Sequence, residues 1–177
     1  MAVALASHVP QTASDEGVVD AATKALGGIL VDVKDHIGEI TLTVRRESVI
    51  DALRALRDTP GLEYQQLMEI AGADFPERPE RFEVNYQLLS LTKNRRIRVK
   101  VSTDETVPVP SATVLWPVAN WLEREVYDMY GIRFRNHPDL RRILLWKDYP
   151  AHPLRKDYPL RGRGERETYK VVHRDEA

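Results

Sequence analysis

Two alternating segments joined by a short polar turn constrain this chain more than any other feature. Phe82, Val84, Tyr86 and Leu88 fall on every second position, and Ile97, Val99 and Val101 repeat the pattern after Thr92-Lys93-Asn94. A period of two sends successive side chains to opposite faces, so the pair predicts a hairpin with one buried face. Arg96, Arg98 and Lys100 stand between the apolar residues of the second segment. Such an outward basic row either guards an edge strand against foreign pairing or faces an acidic partner; the edge reading is preferred.

The same alternation runs through Glu39 to Val44, with Ile40, Leu42 and Val44 on one side. Ile29 to Val33 is a shorter β-branched strand, and His36-Ile37-Gly38 turns the chain between them. From Ser48 to Arg57 the spacing becomes helical. Val49, Ile50, Leu53 and Leu56 share a face, Ser48 with Asp51 fits a capping box, and Asp58-Thr59-Pro60-Gly61 stops the helix. Leu62 to Ala71 reads as a further strand. The strands are not separated by regular crossover helices, so the predicted class is α+β, an antiparallel or mixed sheet with packed helices.

Thr103 to Pro110 reads as a linker. A second helix follows, with Pro117 in its first turn, Val118, Leu122, Val126 and Met129 along one side, and Gly131 where a left-handed cap belongs. Beyond Arg133 the periodicity ends. Four prolines (138, 150, 153 and 159) mix with Phe134, Trp146, Tyr149, Tyr158 and Tyr169, and Arg133 to Lys170 holds eleven Lys or Arg against five Asp or Glu. This stretch is too aperiodic for a core of its own and too aromatic for a typical disordered tail. It predicts an extended, Pro-rich, basic C-terminal arm that lays its aromatics on another protein, already stiffened by proline. The expected organisation is a flexible lead-in over 1–17, an α+β domain over 18–132 and the arm over 133–177.

Composition removes several functions. A formal net charge of −1 does not suit a general nucleic-acid binder, and Asp139, Asp148 and Asp157 interrupt the basic arm. The absence of cysteine excludes disulfides, cysteine nucleophiles and cysteine-ligated iron–sulfur clusters. No apolar run reaches the roughly 18 residues that cross a bilayer. The opening Met1 to Ala6 has no basic leader, so the cytoplasm or a cytoplasmic surface is the expected location. Nucleophile elbows, metal motifs and phosphate-binding glycine loops are not found, which leaves a stand-alone hydrolase unsupported.

The second half carries a resemblance. Trp121-Leu122-Glu123-Arg124-Glu125-Val126-Tyr127-Asp128-Met129-Tyr130-Gly131-Ile132 resembles the signature of the C-subunit family of respiratory NADH:quinone oxidoreductases. Phe134 and His137-Pro138-Asp139-Leu140-Arg141-Arg142-Ile143-Leu144 continue it, and Asp148 to Leu160 is similar to the family's later stretch. The family usually has glycine where Ala151 stands, which raises the question of a left-handed backbone there. Family members also occur fused to the neighbouring D-type subunit, and this chain looks like the unfused form.

The resemblance implies a cofactor-free, non-catalytic subunit of a peripheral arm, on the cytoplasmic side of the bacterial plasma membrane. Its implied partners are the D-type and B-type subunits. It implies a complex that passes electrons from NADH through FMN and iron–sulfur clusters in other subunits to a quinone such as ubiquinone, coupled to proton translocation. Related subunits serve machines with other electron donors. No catalytic or metal-binding residue is assigned.

Glu123, Arg124, Glu125, Asp128, Gly131, His137, Pro138, Arg141 and Arg142 are the expected structural signature. Asp148, His152, Pro153, Leu154, Arg155, Lys156, Asp157 and Tyr158 are the expected partner interface. Arg124 and Asp128, four apart on a helix, can pair. Glu125 lies within or beside the apolar stripe, so it either anchors the arm through Arg133, Arg141 or Arg142, or belongs to a solvated face. His137 and His152 each precede proline and read as turn or interface residues. Arg141, Arg142, Arg155, Lys156 and Asp157 form either a solvated patch or clamps on a neighbour, and the planar guanidinium fork favours clamps.

Overall fold

The computed structural model describes residues 17–165. The elements are α1 (Val18–Leu26), β1 (Leu30–His36), β2 (Glu39–Val44), α2 (Val49–Asp58), β3 (Gln66–Asp74), β4 (Phe82–Ser90), β5 (Arg95–Thr103), β6 (Val109–Pro110), α3 (Ala119–Tyr130) and β7 (Phe134–Arg135). The first five strands form a mixed sheet in the order β1-β2-β5-β4-β3, and β6 and β7 form a parallel ribbon. The class is the expected α+β. The chain divides into two compact units. One takes the residues up to Ile70 with Asn85–Val101, the other Ala71–Val84 with the residues from Ser102 onward.

In the first unit β1 and β2 pair antiparallel, with His36 opposite Glu39 across a turn where Ile37 and Gly38 both have positive φ. β2 then pairs parallel with β5, Leu42 opposite Val99. β5 therefore lies inside the sheet, and the reading of Arg96, Arg98 and Lys100 as an edge guard is wrong. Arg98 instead reaches across to Glu39 of β2 at 3.0 Å. Alternation is nonetheless a sound guide to burial: Ile97, Val99 and Val101 are buried on β5, as are Ile40, Leu42 and Val44 on β2.

Helix α2 buries Val49, Ala52, Leu53 and Leu56, a 3.6-residue stripe. Ser48 makes no capping bond because a 3₁₀ turn over Arg46–Ser48 runs straight into the helix. Asp51 in the first turn and Arg57 in the last suit the helix dipole. Helix α1, which the sequence reading does not assign, buries Val18, Ala22 and Leu26. The lead-in, apart from Gly17, lies outside the described residues. Strand β3 begins four residues later than expected. Gly61 (φ 90°) and Glu63 (φ 51°) turn the chain first, and Leu62 and Tyr64 enter the core from that turn.

In the second unit β6 arises within the expected linker. Val109 and Ser111 donate to the carbonyls of Arg133 and Arg135. Gly131 takes the left-handed conformation (φ 78°, ψ 13°) and donates to Tyr127 O, the cap read from the sequence. The helix is rotated from the expected stripe. Ala119, Glu123, Val126, Asp128 and Met129 are buried, whereas Val118 is exposed. A methyl group on Gly72 would lie 2.6 Å from the Tyr130 ring, so glycine at this position admits the aromatic end of α3.

Candidate functional site

An α-helix leaves its last four carbonyls without partners. At the end of α3 Gly131 N–H donates to Tyr127 O, and the arm supplies donors to the other three. Arg142 Nη1 donates to Asp128 O at 3.2 Å, and His152 Nδ1 lies 2.9 Å from the same oxygen. Leu154 N–H donates to Met129 O, and Arg155 Nε to Tyr130 O at 2.6 Å. A side chain on Gly131 would meet Arg155 Nη2 and His152 Nε2 within 2.7 Å. Glycine here serves both the backbone conformation and the close passage of the arm.

Asp128 holds the next layer. Its carboxylate is fully buried, and Arg142 Nη1 donates to Oδ1 at 2.6 Å. Oδ2 accepts three successive amides, Ile143, Leu144 and Leu145, at 3.0, 2.8 and 2.9 Å. Burial raises this carboxyl, but the Leu145 amide, Arg142 and the other two amides outweigh burial and leave it below its ordinary value. Arg142 also donates Nη2 to Tyr149 O and Ala151 O. One guanidinium thus joins the helix to two further points on the arm. Ala151 is not among the non-glycine residues with positive φ, so the position tolerates alanine.

A second charged cluster fixes the far end of the arm. Arg81 forks onto Asp74 at 2.7 and 2.6 Å and also meets Asp157 and Glu105, each at 3.3 Å. Lys156 N–H donates to Asp74 Oδ2 at 2.8 Å. Burial raises the Asp74 carboxyl, while the Arg81 fork and the Lys156 amide bring it below its usual value. Arg155 meets Glu105 at 3.3 Å and lies 5.1 Å from the Phe82 ring centre. Asp74, Arg81 and Glu105 escape a reading of the sequence because they lie 50 to 82 positions from their partners in the arm and carry no local motif.

The signature residues therefore divide. Glu123 and Asp128 are buried and Glu125 is exposed, so the expected Glu125 anchor is wrong: Asp128 with Arg142 performs that task. The expected Arg124–Asp128 pair is likewise replaced, since Arg124 donates to the carbonyls of Arg141 and Arg142. Glu123 accepts from Ser111 Oγ at 2.7 Å and from Ala112 N–H at 2.6 Å. His137 turns inward, with Nε2 3.1 Å from Asn120 O, while Pro138 is exposed. Arg141 is exposed and pairs with Asp139.

Of the expected interface residues, Asp148, Leu154, Lys156 and Asp157 are exposed and His152, Pro153, Arg155 and Tyr158 half-buried. Tyr158 shares its hydroxyl with Tyr149 at 2.7 Å and with Glu165. The same segment turns large apolar side chains outward: Leu144 is 62% exposed, Trp146 42%, Leu154 51% and Leu160 fully so. No helix among the described residues is long and apolar enough to cross a membrane.

Residues 42–164 match the family described as the respiratory-chain NADH dehydrogenase, 30 Kd subunit. The chain is similar to the C subunit of the NADH-quinone oxidoreductase of Erythrobacter litoralis, 53% identical over 97% of this chain and 69% of that protein. The corresponding C subunit of Novosphingobium aromaticivorans is 58% identical over 86% of this chain and 49% of its own length. That of Caulobacter vibrioides is 58% identical over 71% of this chain and 64% of its own. The chain thus spans about half to two thirds of these relatives. Among solved structures, a chain of the membrane-bound sulfane sulfur reductase, an archaeal respiratory membrane complex, shares the fold. Its TM-score is 0.71 at 21% identity, over 90% of this chain and 93% of that one.

Proposed function

This chain belongs to the family of the respiratory-chain NADH dehydrogenase 30 Kd subunit, and on that premise we propose that it is a structural subunit of the peripheral arm of a proton-translocating NADH:quinone oxidoreductase. In this reading the chain carries no redox centre. Electrons move from NADH through FMN and iron–sulfur clusters held by other subunits to a quinone. The chain holds those subunits in register, next to the D-type and B-type subunits, on the cytoplasmic face of the membrane.

One observation carries the reading. Arg142 and Arg155 reach inward onto the end of α3 and the Lys156 amide onto Asp74, while Leu144, Trp146, Leu154 and Leu160 face outward among exposed charges such as Arg141, Asp148 and Lys156. An arrangement that uses its strongest hydrogen bonds to fix a loop, and leaves apolar side chains on that loop's outer side, suits a surface for another protein. The signature residues act here as positioning groups for that surface.

The test is a mild-detergent pull-down of the tagged chain from its native membranes. The expected eluate contains the cluster-bearing and quinone-pocket subunits and oxidises NADH with quinone. Recovery of the chain from the soluble fraction alone, without those subunits, overturns the reading. Recovery with a different electron-input module would retain the structural role and replace NADH as the donor.

A further inference from the structure

Among the described residues of the second unit three carboxylates are buried, and two have cations. Asp74 has Arg81 and Asp128 has Arg142. Among the described residues, Glu123 has neither a lysine nor an arginine within 4.0 Å, although its side chain is 0% exposed. An ionised carboxylate in such a place is costly, and the usual relief is to take up a proton. We propose that Glu123 is a buried proton-binding site, and that the Ser111 hydroxyl reverses its donor direction as the proton enters and leaves.

The surrounding atoms accept both states. When Glu123 is ionised, Oε1 takes the Ala112 N–H and Oε2 takes the Ser111 O–H. Ser111 Oγ then accepts from Thr113 N–H at 3.2 Å and from the Thr113 hydroxyl at 2.8 Å, which fills its two lone pairs. When Oε2 carries the proton, it donates to Ser111 Oγ, and Ser111 turns its own hydrogen to Thr113 Oγ1. Its two lone pairs are again filled, now by Glu123 and Thr113 N–H. Oε1 keeps the Ala112 amide throughout. One proton is gained from solvent and one negative charge disappears; the Thr113 hydroxyl hydrogen turns away from Ser111 on its half-buried side chain, and the other donors and acceptors keep their partners. Thr113 is only half-buried, so the hydroxyl pair leads from the carboxyl toward the surface.

His137 is the other titratable group at the site. Its buried ring places Nε2 4.0 Å from Glu123 Oε2. Nδ1 already accepts the Asp139 amide at 3.0 Å, so the neutral ring carries its hydrogen on Nε2, toward Asn120 O. The remaining charges nearby are committed elsewhere: the Asp139 carboxylate to Arg141 at 2.8 Å, Arg124 to two arm carbonyls and Asp128 to Arg142. Burial, opposed by the Ser111 and Ala112 bonds, raises the Glu123 carboxyl to about 7.

The test is a pH titration of the full-length chain, with glutamate labelled at the side-chain carboxyl carbon and followed by NMR from about pH 5 to about pH 9. One glutamate signal is expected to titrate near neutrality and to be missing from Glu123→Gln. If every glutamate finishes titrating near the ordinary carboxylate range, the proposal is overturned. Ser111→Ala keeps the carboxyl and removes the hydroxyl that favours its ionised form. It is expected to move the midpoint up by about one pH unit. An unchanged midpoint would overturn the role given to Ser111.

Discussion

The two units of this chain are specified by different interactions. Among the described residues of the first, the buried polar side chains are Thr41 and Ser90, and the rest of the core is aliphatic or aromatic. In the second, Asp74, Glu123 and Asp128 are all buried, with Thr103 and Ser111. Apolar burial is tolerant: a side chain of about the right size keeps most of the stabilisation. A buried carboxylate is not, because it is favourable only while its donors are held in place. The first unit is therefore built like an ordinary sheet-and-helix core. The second uses charge to give one defined course to a stretch that has no periodic structure to guide it.

The sharpest break of that contrast is at Asp128. Asp128→Ala leaves Arg142 and three amides without their acceptor, and we expect a loss of about 3–5 kcal/mol in chemical denaturation. Replacing Asp128 and Arg142 together by apolar residues should restore much of it. In the first unit, Leu53→Ala should cost about 2–5 kcal/mol through lost burial and the cavity left behind. Leu53→Met should recover most of that, whereas Asp128→Glu should not recover the Asp128→Ala loss, since its longer carboxylate cannot keep the same four donors.

Gly131→Ala comes next. The left-handed backbone costs about 1–2 kcal/mol for a residue with a side chain, and contact with Arg155 and His152 adds to it. Faster proteolysis within the arm is the measurement that reports it.

The pH dependence separates the carboxylates by sign. Glu123 is raised from 4.5 to about 7, so the folded chain holds a proton that the unfolded chain releases. Its contribution to stability falls as pH rises from about 4.5 to about 7 and is flat beyond. Asp74 and Asp128 are lowered from 3.8, so their contributions are full above that value and disappear as pH falls through their lower folded values. Unfolding free energies measured across this range in wild type and Glu123→Gln should differ in slope between about pH 5 and about pH 7. The smallest effect belongs to a surface pair of the first unit: Arg54→Ala, which removes the exposed bridge to Asp51, should cost about 0.3–0.5 kcal/mol.

The same division explains what can be read from sequence. Alternation in β2, β4 and β5 and the helical stripe of α2 follow from local periodicity, which is why those elements lie where expected. Strand order does not follow from it. The basic row of β5 looks the same on an edge as beside β2, where Glu39 meets Arg98. In α3 the apolar residues place Val126 and Met129 inside but also point to Val118, which is exposed. Burial of Glu123 and Asp128 rotates the helix, and those acids become favourable inside only through donors at Ser111, Ala112 and Arg142 to Leu145. Distant polar pairing of this kind has no period, so Glu125 and Asp128 cannot be told apart until the fold is known. Gly131 is legible because a helix end asks for one backbone conformation.

In the proposed role, Arg142, Arg155 and the arm's backbone amides fasten the arm so that its outward apolar side chains meet partner subunits. The most direct test is a double substitution, Leu144→Glu with Leu154→Glu, in membranes that depend on this chain, read by native gel and NADH:quinone activity. Both side chains are more than half exposed, so the isolated variant should unfold at the wild-type denaturant midpoint. The predicted result is a folded chain that no longer enters the complex, with activity lost in parallel. Full incorporation and full activity of that variant would contradict the claim.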